Sequence, residues 1–107
     1  MTYSTEFPGF PADAIPSLPE GFVDRSWHND ICPSFIHGES GIVLWIDHPD
    51  TTQREFEELP RFRAQRCVNR RSDAGWLFDG SEIDLFETDD WATAERSLHN
   101  FIAGVVA

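Results

Sequence analysis

Hydrophobic positions along this chain follow two periods, one of strands and one of a helix. Ile42-Val43-Leu44-Trp45-Ile46 is five apolar residues in a row. A short run of β-branched and aromatic residues reads as a strand covered on both faces. Ser34–His37 precedes it across Gly38-Glu39-Ser40-Gly41, whose turn chemistry predicts a hairpin. Residues 22–27 are β-favourable, and a polar stretch with Asn29, Asp30 and Pro33 follows them. Residues 62–69 alternate, with Phe62, Ala64 and Val68 on one side and Arg66 intruding there. Asp79-Gly80, between Trp76-Leu77-Phe78 and 81–87, predicts a second hairpin, because Gly tolerates the positive φ of a tight turn. In its second arm Ile83 and Leu85 face one way, Asp84 and Phe86 the other.

The helical period appears last. Trp91, Ala94, Leu98, Phe101 or Ile102, and Val105 recur at helical spacing. Thr88, Asp89 and Asp90 offer a cap and negative charge at the start, and Gly104 offers an end, so a helix is expected over 90–103. A short helix near 51–59 is expected from the capping-box spacing of Thr52 and Glu55, with Asp50 as the other candidate cap. Phe56 and Leu59 would anchor it and Pro60 would stop it. These elements predict an α+β fold: an antiparallel sheet of five or six strands with the C-terminal helix packed on one face.

Residues 1–20 break both periods. They hold Pro8, Pro11, Pro16 and Pro19, so neither a regular helix nor a central strand is expected there. Phe7, Phe10, Ile15 and Leu18 punctuate this extended, Pro-rich arm. It either packs on its own domain or crosses to another subunit. The remaining residues, 21–107, read as a single α+β domain.

Composition adds limits. The chain has 107 residues and 40% apolar content, enough for one core without metal or disulfide support. Nineteen acids against eight basic residues give −11, and every basic residue is Arg. General nucleic-acid binding and attachment to anionic membrane are disfavoured by that sign. No apolar run approaches the length of a membrane span, and no basic-then-apolar leader opens the chain. Cys32 and Cys67 are far apart and suit a reducing compartment as small buried residues, so a soluble cytoplasmic protein is expected.

The charge is unevenly placed. Residues 1–53 carry −7, residues 54–71 carry +3, and residues 72–107 carry −7. Arg63, Arg66 and Arg70 lie in the basic segment. They either pair across strands with Glu82, Asp84 or Glu87, or form an anion-binding patch, since the guanidinium forks onto carboxylate or phosphate. His28, Asp30 and Cys32 have i, i+2, i+4 spacing, which on a regular strand would gather a metal-ligand set with His37 or His48, although Asn29-Asp30 and Pro33 suggest a bend. Asp47-His48-Pro49-Asp50 follows the central strand, where sites are often built, and His48 with Asp47 or Asp50 is the candidate acid–base group. Neighbours on a strand point to opposite faces, which weakens that pairing.

No nucleotide loop, nucleophile elbow, CxxC or HExxH occurs, and no cofactor is implied. The sequence therefore reads as a small acidic binding or interaction domain, without catalysis and acting as a homodimer. Two alternatives stand beside it. One is an inhibitor or immunity-type protein whose acidic segments occupy a basic surface of a protein partner. The other is a small enzyme using His48 with Asp47 or Asp50 and an arginine-lined anion site.

Overall fold

The computed structural model describes residues 2–71 and 75–106. Its elements in chain order are a one-turn helix α1 (Tyr3–Glu6), strands β1 (Phe22–Asp24), β2 (Ser34–His37), β3 (Ile42–Ile46), β4 (Phe62–Arg66), β5 (Arg70–Arg71), β6 (Gly75–Trp76) and β7 (Ile83–Thr88), and helix α2 (Trp91–Val106). The main sheet is antiparallel, five strands in the order β1-β2-β3-β4-β7. β5 and β6 form a separate two-stranded ribbon, an excursion between β4 and β7.

Register assigns the faces. Phe35 pairs with Leu44, Leu44 with Ala64, and Ile46 with Phe62. Residues opposite one another share a face, so these define the core side. Ala94 and Leu98 of α2 complete that core. The helix packs chiefly on β7 and β4, with the Trp91 ring 5.2 Å from the Phe62 ring. The N-terminal arm covers the rest: Tyr3, Phe10, Ile15 and Leu18 pack against the same core, and the Tyr3 ring lies 6.4 Å from Phe35. In effect the arm stands where a second helix would lie.

The far side of the sheet carries a polar chain, Trp45 Nε1 donating to Gln65 Oε1 and Gln65 Nε2 to Asp84 Oδ1. The excursion folds back toward it. Trp76 Nε1 donates to the Gly38 carbonyl, and Phe78 lies 3.8 Å from the Arg25 guanidinium. Gly41 is required here on two counts: its φ is 77°, and a Cβ would stand 2.8 Å from the Trp76 ring.

Several expectations need correction. Residues 51–59 are not an α-helix; only Thr51–Gln53 form a 3-10 turn, capped by Asp50. The Arg54 guanidinium takes the carbonyls of His48 and Leu59, which draws the chain around it as a loop, and Phe56 is left exposed. The Asp79-Gly80 turn does not join paired strands, because β7 pairs with β4 while Trp76 and Phe78 serve the far face. A register shift at Ala64/Gln65 breaks the expected alternation in β7, so Leu85 and Phe86 both reach the core. Gly104 keeps helical conformation and α2 continues to Val106. The arm begins with a helical turn at Tyr3–Glu6, ahead of its first proline.

Candidate functional site

The end of β3 runs into Asp47 and His48, and the arm folds over them. Together with Cys32 they line a cavity of about 230 Å³. Phe7, Gly9 and Phe10 of the arm form part of its wall, and Gln53 of the 3-10 turn lies on it as well. The Phe10 ring stands edge-on to His48, centroids 5.7 Å apart.

Asp47 is 2% exposed. Its Oδ1 accepts the backbone N–H of His48 at 2.8 Å, while its Oδ2 is buried with no hydrogen-bond partner. An acceptor in that state costs about 1–3 kcal/mol, more when charged. Arg61 stands close by without meeting this oxygen: its Nε donates to the Asp47 carbonyl at 3.1 Å, and its Nη2 donates to the Ala14 carbonyl of the arm. Burial lowers the Arg61 guanidinium, the neighbouring Arg54 adds to that, and the Asp47 carboxylate opposes it. Burial pushes the Cys32 thiol up to about 12; Asp47 adds to the rise and the Arg63 guanidinium works against it. The thiol is therefore protonated and unreactive at neutral pH.

Asp47, His48 and Asp50 do not form an acid–base relay. His48 Nδ1 accepts the Asp50 N–H at 2.9 Å, and Asp47 is bonded to the His48 backbone, not its ring. Asp50 caps the 3-10 turn through Thr52, whose hydroxyl and N–H hold its carboxyl below the usual range. All three residues take part in the turn after β3, Asp47 through its Oδ1 alone.

The arginines stand elsewhere. Arg63 lines two other cavities, of about 440 and 250 Å³, with Gln65 and with Asp84 and Glu87 or Asp30. Arg63 is directly opposite Glu87, yet neither it nor Arg66 forms an ion pair among the described residues. Asp84 is instead engaged by Gln65, whose Nε2 donates to its Oδ1. The Nε atoms of Arg63 and Arg66 are buried without partners. The side chain of Arg70 lies outside the described residues. The arginine-lined anion site therefore does not meet His48 in one cavity.

The metal candidates do not converge either. Residues 25–33 form a bent loop, so strand alternation does not apply to them. His28 sits at the surface with its Nδ1 3.0 Å from Glu6, Asp30 lines the Arg63 cavity, and Cys32 is buried under the arm. No group of three or more His, Cys, Asp or Glu could hold a metal ion among the described residues. His37 and Ser40 form a buried pair that no spacing in the sequence announces. Ser40 Oγ accepts from Ile42 N–H and donates to His37 Nδ1 at 2.7 Å, and both are buried within the β2–β3 turn.

No helix among the described residues is long and apolar enough to cross a membrane. Comparison with protein-family models, with curated proteins and with solved structures finds no match to this chain.

Proposed function

We propose that the chain is a non-catalytic binding domain and that its ligand seat is the cavity beneath the N-terminal arm. One observation carries this reading: Asp47, buried with an oxygen that has no partner, lines a cavity whose wall is partly the arm. Small-molecule sites are concave and mostly apolar, with a few convergent polar groups that fix orientation. Phe7, Phe10 and Pro33 supply the apolar wall, and Asp47, His48 and Gln53 the polar groups. At about 230 Å³ the cavity is smaller than sites for drug-sized ligands, so the ligand is compact.

Two-dimensional ¹⁵N–¹H spectra recorded with a library of compact fragments test the assignment. Shifts are expected at the amides of Phe10, Cys32, Asp47, His48 and Gln53. Gln53→Trp, at an exposed position on the cavity wall, should abolish them while the spectrum stays that of a folded protein. Shifts confined to the Arg63 cavities, or none at all, contradict the reading.

The homodimer belongs to the same proposal, through a sheet edge and not through the arm, whose apolar residues lie on their own core. The outer strand β7 supports it, since Ile83 is 51% exposed there. Sedimentation velocity should find a dimer that Ile83→Lys converts to a monomer; a monomer at high concentration removes the idea.

A further inference from the structure

We propose that the group this cavity takes is a compact primary ammonium, held by Asp47; the inference rests on the cavity being a ligand seat. An ionised carboxylate is acceptor-only, so what Oδ2 lacks is a donor. An ammonium brings three donors and the opposite charge. The chain contains no lysine, so no ammonium side chain of its own can supply them. Arg61 has directed its Nε and Nη2 to backbone carbonyls. The Phe10 ring lines the same cavity and offers a π surface to a cation. A chain at −11 also raises the local concentration of cations over that of anions.

The arm gives a route in. Glu6 fixes one end of it to His28, and Arg61 holds Ala14 further on. Between them, residues 7–10 make no hydrogen bond outside the arm among the described residues. That segment is held by packing, chiefly of Phe10 on Tyr3 and His48. Asp47 is 2% exposed and lines the cavity together with Phe7, Gly9 and Phe10, so a ligand reaching it passes beneath this segment.

Primary ammonium groups come as free amines or as the lysine side chains of a partner protein. Isothermal titration of the full chain with butylammonium, butan-1-ol and butyrate tests the chemistry, and Nα-acetyl-lysine methylamide tests the source. Butylammonium should bind about tenfold or more tightly than the neutral and anionic analogues. Asp47→Asn, which keeps the shape and the Oδ1 acceptor, should weaken it by at least about tenfold. Gln53→Trp should block it independently, should the Asn variant fail to fold. Tighter binding of the lysine derivative assigns the seat to a protein partner; tighter binding of butylammonium assigns it to a free amine. Equal binding of all three analogues, unaffected by Asp47→Asn, overturns the ammonium assignment and leaves the cavity as a seat. Absence of binding by any of them, with no fragment shifts at the cavity, overturns both.

Discussion

Asp47 combines a structural and an open valence. Its Oδ1 closes the turn after β3 on the His48 N–H, and its Oδ2 has nothing to accept. Cys32 shares its surroundings and shows the same low polarity in another way, with a thiol raised to about 12 by burial first. Cys67, 1% exposed, is raised to about 11, again by burial first, with Glu82 adding to it. Sign and size make a prediction. A thiol whose folded value lies well above the ordinary range stays protonated until strongly alkaline pH. Neither cysteine should react measurably with a disulfide reagent at pH 8 in the native protein, and both should react once guanidinium unfolds it. Rapid labelling of Cys32 in the folded state would mean that the arm does not seal this site. The position of Asp47-His48 at a strand end was legible in the sequence. Strand alternation does not decide their pairing, because β3 ends at Ile46 and both residues lie in the turn beyond it; the nearness of Cys32 was not legible either, because it depends on contacts across the fold.

Among the elements, the segment joining β3 to β4 departs furthest from its sequence pattern. Thr52 and Glu55 have capping-box spacing, yet the α-helix is absent, because Arg54 is buried and fastens the segment from within. Its Nε donates to the His48 carbonyl and its Nη1 to the Leu59 carbonyl, with Nη1 also 3.5 Å from Asp89. A planar fork reaching two carbonyls cannot be reproduced by an ammonium. Arg54→Lys should therefore lose about 2 kcal/mol of stability, read by denaturant unfolding, since hydrogen bonds to charged groups contribute about 1.5–3 kcal/mol each. A change below about 0.5 kcal/mol, the range of ordinary surface substitutions, would show that the fastening is immaterial. The β2–β3 hairpin and α2 were readable because their apolar period is unbroken. The excursion of β5 and β6 was not: Trp76-Leu77-Phe78 looks like a strand, and only the tertiary fold directs Trp76 to Gly38 and Phe78 to Arg25.

At the scale of the whole molecule, one sheet is covered on its core side by two unlike layers. Helix α2 lies over β4 and β7, and the proline-rich arm completes the cover. The sequence pattern foresaw the helix; the apolar residues of the arm stated only that it must pack somewhere. A helix is a rigid cover, whereas the arm is tied at Glu6 and Ala14 with a span between them held by packing. The cavity forms beneath that span, next to a carboxylate in a lysine-free acidic chain. We propose this cavity as a ligand seat that reads positive charge. A crystal structure of the protein grown with butylammonium tests it most directly. Electron density for the amine is expected beneath residues 7–10, its nitrogen within hydrogen-bond distance of Asp47 Oδ2. A closed arm with no amine there, or with the amine bound only at the surface, would contradict it.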